Sequence, residues 1–218
     1  MNYAVDFDAA AHTYAVGGIK RPSVTGLIAA AFGVGYFPPD WYLDRGRKVH
    51  QASVYLEDGD LDWSTVSDEI RGYLEAFEKV LKDLKPVNAL PPETKMFHSV
   101  LGYCGTPDRV WMVRGDVWIV DLKTGVHGRK AALQTKGYEL LFKQVARELN
   151  LQTKIVRRFV LKLDKDGRFK FVPHTDDSDD AVFRACCAII NDKMNHGARV
   201  EEAFSWDEAF PKIDDKGQ

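Results

Sequence analysis

The stretch "GTPDRVWMVRGDVWIVDLKTG", from Gly105 to Gly125, decides the architecture. "RVWMV" and "VWIVDLK" have the β-branched and aromatic content of strands, and "RGD" between them carries a glycine that permits a tight turn. An antiparallel hairpin is expected. "VWIV" is continuously apolar, the pattern of a central strand covered on both faces. Yet Asp108, Asp121 and Lys123 stand at the margins of this apolar block. If the chain reverses at "RGD", Asp108 at the start of one strand and Asp121 at the end of the next fall on the same edge of the hairpin. Asp121 and Lys123 are two apart in extended chain, so their side chains leave from one face. Two acids and an ammonium then converge on one rim.

Working outward, "YAVDF" and "HTYAV" read as a hairpin and "SVTGLIAAAFG" as a short helix with a Ser or Thr cap and a closing glycine. "YFPPDW" breaks the chain before "LDRGRKVHQASVYLEDG" resumes a helix, in which Gly46 suggests a close approach and Gly59 a stop. The clearest helix is "TVSDEIRGYLEAFEKVLKDLKP": Ile70, Tyr73, Leu74, Phe77, Val80, Leu81 and Leu84 recur at three and four, and Thr65 with Asp68 resembles a capping box. "ETKMFHSVLGYCGTPDRV" reads as extended chain with turns. After the central hairpin come a helix from about Lys130 to Asn150, a strand in "KIVRRFVLKL", a "DKDG" turn, a strand in "RFKFV" and a last helix from about Asp180 to Met194. The expected fold is α/β, a mixed central β-sheet flanked by helices. It forms one domain over residues 1–218, with an N-terminal hairpin and helix elaboration over about 1–40 and a frayed C-terminal tail at "PKIDDKGQ".

Composition narrows the function classes. The 218 residues suffice for one domain with a proper core, and 45% apolar with 28% charged residues mark a globular chain rather than a disordered one. A net charge of -2 excludes the basic surface of a passive nucleic-acid coat, although 30 Lys and Arg residues leave room for a local positive groove. No apolar run approaches the roughly 18 residues of a membrane span, and "MNYAVDFDAA" lacks the pattern of a secretory signal, so a cytosolic setting without membrane contact is the expectation. Cys104, Cys186 and Cys187 form no C-x-x-C and read as buried thiols.

Two carboxylates brought close repel one another unless a cation intervenes. An oxygen-rich, partly filled site suits a hard dication such as Mg²⁺, which polarises a phosphodiester and lowers the pKa of bound water while a neighbouring lysine orients that water. The same three residues equally make an inert salt bridge at a strand end. Other features bear on the choice. In "GRKVH", Gly46 and His50 are one helical turn apart, and histidine as a ligand extends tolerance to Mn²⁺; taken alone, His50 also reads as a surface or packing histidine. In "QTKGY", Gln134 and Tyr138 share a helix face, where the bland reading is a helix flank with a packed aromatic. Glu93 in "PPETK" is a further acid that by itself reads as a solvated loop charge.

Taken in order, these residues resemble the RecB-like exonuclease branch of the PD-(D/E)XK nuclease superfamily: Gly46 to His50, Glu93, Gly105 to Asp108, Asp121 to Lys123, and Gln134 to Tyr138. The resemblance spans about residues 40 to 140, and "WIVDLKTG" is its most specific element. It implies a restriction-endonuclease-like core and a Mg²⁺- or Mn²⁺-dependent deoxyribonuclease, an exonuclease of DNA repair or recombination. It further implies Asp108 and Asp121 as principal metal ligands, His50 and Glu93 as further ones, and the Leu122 carbonyl facing the metal. Lys123 would take the catalytic-water role, with Gln134 and Tyr138 setting the substrate. Some members carry an iron–sulfur cluster on four cysteines; three cysteines are too few for that ligation. No nucleotide-binding P-loop is present, so any helicase or recombination partner is expected on a separate polypeptide. The expected partner is DNA, and Lys130 and Lys136 on the helix after "DLKTG" suit a long polyanion. The competing readings are a catalytically inactive nucleic-acid-binding or scaffolding protein of the same fold and a small-molecule phosphohydrolase.

Overall fold

The computed structural model describes residues 4–9, 11–33, 39–125, 128–151 and 155–196. The tail "PKIDDKGQ" lies outside them. At the centre, strands β7 (Arg109–Val113) and β8 (Asp116–Lys123) form the expected antiparallel hairpin, with Val113 opposite Asp116. The two-residue loop holds Arg114 at φ 51° and Gly115 at φ 88°. Both angles are positive, as the twist of a tight hairpin requires, and glycine at the second position removes the steric cost.

Around this hairpin a five-stranded mixed sheet runs in the order β10 (Phe169–Pro173), β9 (Val156–Leu163), β8, β7, β4 (Val87–Leu90). The β8–β9 pair is parallel, so the chain must cross over between them, and it does so through helix α4 (Arg129–Glu148). β8 therefore lies mid-sheet, which explains its apolar run. Its two faces enter different cores. Val117 and Ile119 pack against Leu133 and Leu141 of α4, with Leu27 of α1 (Val24–Phe32) and Phe183 of α5 (Ser178–His196). Val120 and Leu122 pack on the other face with Leu74 and Phe77 of α3 (Asp68–Leu84) and Val49 of α2 (Asp40–Asp58). The sheet is thus covered on both sides by helices.

The N-terminal segment is more than a hairpin. β1 (Val5–Asp8) and β2 (Thr13–Val16) pair as expected, and a turn through Gly17 and Gly18, both at positive φ, adds β3 (Ile19–Arg21). Ser23 caps α1, its side chain accepting from the Gly26 amide at 2.9 Å. In the "extended chain with turns", β5 (Met96–His98) and β6 (Tyr103–Gly105) pair as a separate two-stranded ribbon.

Two local expectations are corrected. The N-cap of α3 is Ser67, and Thr65 belongs to a preceding 3-10 turn, Trp63–Thr65, so Thr65 and Asp68 make no capping box. Gly46 makes no close approach: a methyl group there would meet only Thr124 Oγ1, at 3.9 Å. Gly59, by contrast, does end α2 in the left-handed conformation, at φ 79°.

Candidate functional site

The hairpin register carries Asp108 one step beyond the Arg109–Val120 pair, which sets it opposite Asp121. Asp108 Oδ2 accepts a hydrogen bond from the Leu122 amide at 2.6 Å, fixing the carboxylate at the C-terminal end of β8. That end of a parallel pair is where open α/β sheets present ligand sites. Helix α2 reaches the same point: His50 Nδ1 lies 3.2 Å from Asp108 Oδ1, and Nε2 lies 3.1 Å from the Leu122 carbonyl oxygen. Both ring nitrogens face acceptors, so without a metal both must donate and the imidazole is doubly protonated. Burial pulls the imidazolium pKa down, but the Asp108 carboxylate outweighs it and raises the value to about 9.

Glu93 enters from the loop between β4 and β5, after Pro91 and Pro92. Its φ of 56° places a non-glycine residue in the left-handed region, a conformation that stores strain and here turns an acid inward. Burial, followed by repulsion from Asp108, raises its carboxyl to about 7. Donor atoms of His50, Glu93 and Asp108 all lie within 4.8 Å of one another, a group able to hold a metal ion. Asp121 stands outside this trio. It is 1% exposed, and its Oδ2 lies 2.8 Å from Lys123 Nζ. That ion pair lacks the alignment of a hydrogen bond, and Asp121 Oδ2 is the one buried carboxylate oxygen without a hydrogen bond among the described residues. Burial raises the Asp121 carboxyl, with Asp108 adding to the effect against the pull of Lys123. The lysine ammonium, which burial disfavours, is held above its ordinary value by Asp121 and Asp108.

From α4, Gln134 Nε2 donates to Tyr138 Oη at 3.1 Å, and both residues line the same cleft. Gly105 explains its own identity: a side chain there would lie 2.8 Å from Leu141 and Val24 and 3.1 Å from Tyr138. The cleft has a volume of about 910 Å³, and Gly46, His50, Glu93, Gly105, Asp108, Leu122, Lys123, Gln134 and Tyr138 all line it. Asp121 sits behind Lys123.

Lys136 departs from expectation. It is buried and paired with Glu139 at 2.6 Å, so it offers no charge to a polyanion; Lys130 is exposed and donates to the Gly33 carbonyl at 2.8 Å.

Other parts of the site were not read from the sequence. Beneath Asp108, the fully buried Arg109 pairs with Glu57, donates to Ser53 Oγ at 2.9 Å and to the Asp108 carbonyl at 2.7 Å, while Trp111 Nε1 donates to Glu57 at 2.9 Å. His50, Ser53 and Glu57 recur at three and four on α2, and that spacing was a usable signal. Arg45 stacks within 5.3 Å of the ring centres of Trp41, Tyr42 and Tyr73 and reaches the Thr124 carbonyl at 3.4 Å, tying α2 to the end of β8. Phe7 and Tyr14 of the N-terminal sheet also line the cleft, a non-local contact with no periodic signature.

Around Asp108 three acids, Glu93, Asp108 and Asp121, meet two cations, His50 and Lys123, and the imidazolium can give up its proton. A donor set of carboxylate oxygens and one imidazole from His50, Glu93 and Asp108 fits a divalent cation such as Mg²⁺ or Mn²⁺. No protein-family model matches the chain, and no curated protein is significantly similar to it.

Proposed function

We propose that the protein is a divalent-metal-dependent DNA nuclease that hydrolyses phosphodiester bonds, an exonuclease of the PD-(D/E)XK type serving DNA processing or recombination. One observation carries the reading. The residue series that suggested this chemistry is scattered over about a hundred positions on α2, the β4–β5 loop, β6, the segment between β6 and β7, β8 and α4, and it comes together around one cleft. A set of unrelated surface charges has no reason to do so.

In this reading Asp108, Glu93 and deprotonated His50 hold Mg²⁺ or Mn²⁺, with Asp121 facing the same point through Lys123. When bound, the ion supplies Lewis acidity and a water of lowered pKa. Asp121 keeps Lys123 charged and fixed, so its ammonium is set to orient the attacking water and to balance charge on the scissile phosphate. The Gln134 side-chain carbonyl, free of the Tyr138 bond, is available to the substrate.

The test is Mg²⁺- and Mn²⁺-dependent cleavage of end-labelled single- and double-stranded DNA by the purified chain, with Asp108→Asn as control. Metal-dependent shortening that the variant loses is the expected result. DNA binding without cleavage in either metal would replace the nuclease with an inactive binding or scaffolding protein. Hydrolysis confined to small phosphate esters would make it a phosphohydrolase.

A further inference from the structure

The catalytic reading uses only the floor of the cleft. Its walls come from a further stripe of α2 and from the N-terminal sheet, and their composition is of a different kind. On α2, Leu43, Arg47, Gln51 and Tyr55 recur every four residues as one stripe that lines the cleft. Leu43 is 44% exposed and Tyr55 50% exposed, which leaves large apolar surface open to solvent along this stripe. From the N-terminal sheet, Phe7 and His12 line the cleft beside the buried Tyr14. Phe7 is wedged against both, with ring centres 5.3 Å from His12 and 4.7 Å from Tyr14, and Lys95 Nζ stands 5.7 Å from the Phe7 ring centre. Tyr14 is pinned in turn by a 2.9 Å hydrogen bond between its hydroxyl and Thr106 Oγ1. The aromatic wall is therefore rigid where it meets the cleft.

Aromatic faces interleaved with Arg47, Lys95 and Lys123 are the means by which proteins hold unpaired nucleic acid: bases stack on rings while cations track the phosphates. Size selects further. About 910 Å³ is the scale of a pocket for a drug-sized ligand, room for a few nucleotides of one strand. The acids that would do the chemistry lie at its floor, with Asp108 only 8% exposed. Bases that stack on the walls are unpaired where the strand descends to those acids.

We propose that this cleft is a binding site for the unpaired end of a nucleic-acid strand, with Phe7 and Tyr55 as base-stacking platforms and Arg47 and Lys95 as phosphate contacts. The substrate class so named rests on the nuclease reading, but the binding site can be tested without it.

Fluorescence anisotropy in EDTA compares a short labelled oligothymidylate with a blunt duplex of equal length. The single strand should bind at least tenfold more tightly. Tyr55→Ala, on an exposed helix face, should weaken single-strand binding by about 5-fold or more, the size of one lost stacking platform. Phe7→Leu, which keeps apolar volume against Tyr14 but removes the π-face, should do the same, and duplex binding should change by less than twofold in both. Equal affinity for strand and duplex, or unchanged single-strand affinity in both variants, overturns the proposal. Cleavage by the wild type in Mn²⁺ is scored separately. Strand-selective binding without cleavage sinks the nuclease and leaves the strand site standing; cleavage with no strand preference does the reverse.

Discussion

Two clusters of buried charge lie on different faces of α4, and they are built to opposite ends. On one, Asp179 takes Arg129 on one oxygen and Arg158 on the other at 2.8 Å. Glu139 takes Lys136 at 2.6 Å, Arg158 at 3.2 Å and Lys143, and Arg158 also donates to the Ala132 carbonyl at 3.1 Å. Cations outnumber buried acids, and none of these side chains leaves a buried polar atom without a hydrogen bond. Around Asp108, at the floor of the cleft, the balance is reversed: Glu93, Asp108 and Asp121 face His50 and Lys123, Glu93 is raised to about 7, and Asp121 Oδ2 meets the Lys123 ammonium at 2.8 Å. A saturated network holds a fold together. A local excess of buried acids is unstable by itself and gains most from an added cation.

The largest effects should separate these roles. Asp121→Asn removes one of two opposed buried carboxylates, so cleavage should fall by about 10²–10³-fold or more, the scale of losing one charge-stabilising group, while the thermal midpoint stays level or rises. Asp179→Asn should do the opposite, costing about 3–5 kcal/mol of stability because Arg129 and Arg158 lose their shared acid, with metal affinity unchanged in the folded fraction. Denaturant melts and a cleavage assay on the same two preparations check both. If Asp121→Asn lowers the thermal midpoint as Asp179→Asn does, or keeps near-normal cleavage, the contrast between the clusters is wrong.

Next in size is the pH response of the cleft. His50 carries a folded pKa of about 9 against an ordinary 6.5, so its contribution to stability is fully present below about pH 6.5 and is lost as pH rises towards 9. Glu93, raised from 4.5 to about 7, has the same sign: the unfolded chain ionises first, and stability falls as pH rises through that window. The metal-free protein should therefore lose thermal stability between about pH 6 and pH 9. A dication must displace the His50 proton, and at neutral pH part of the Glu93 proton, so its affinity should climb over the same range. The stabilisation produced by Mg²⁺ should be greater at pH 9 than at pH 6, and calorimetry in buffers of different ionisation enthalpy should detect proton release on loading. A Mg²⁺ increment that is flat with pH would take His50 and Glu93 out of the metal's reach.

The sequence revealed the cleft's chemistry better than its walls, for physical reasons. Asp108, Asp121 and Lys123 were legible because strand alternation and one two-residue turn fix their relation locally, and the amphipathic period of α3 was as plain. β4 was not, since "VNAL" shows no alternation and becomes a strand only by pairing with β7 across more than twenty residues. β5 and β6 are different: they pair with each other locally, His98 opposite Tyr103, in the stretch that reads as extended chain with turns. Lys136 was misjudged because a lysine facing a polyanion and one paired with Glu139 three residues on look alike in sequence; burial decides between them. The N-terminal sheet's place at the cleft rests wholly on non-local contact, and no local pattern announces it.

The smallest effect concerns space rather than charge. Gly46 on the cleft wall and Gly137 on the packed side of α4 are both helical glycines, each costing about 0.5–1 kcal/mol relative to alanine on backbone entropy alone. A methyl group at Gly137 would lie 2.6 Å from Phe183 and 2.8 Å from Val24, both in the close-packed core, so overpacking should outweigh the entropic gain and Gly137→Ala should cost about 1–3 kcal/mol. At Gly46 the nearest atom is Thr124 Oγ1 at 3.9 Å, an ordinary contact. Gly46→Ala should therefore stabilise by about 0.5–1 kcal/mol, raising the thermal midpoint by about 1–4 °C. The same methyl group would project into the cleft one turn from His50. If the cleft is a working cavity kept open for a strand, single-strand affinity should drop even as stability rises. A variant that gains stability and binds the oligonucleotide as the wild type does would show that the room beside His50 is incidental, and that only the charges distinguish the cleft from the network across α4.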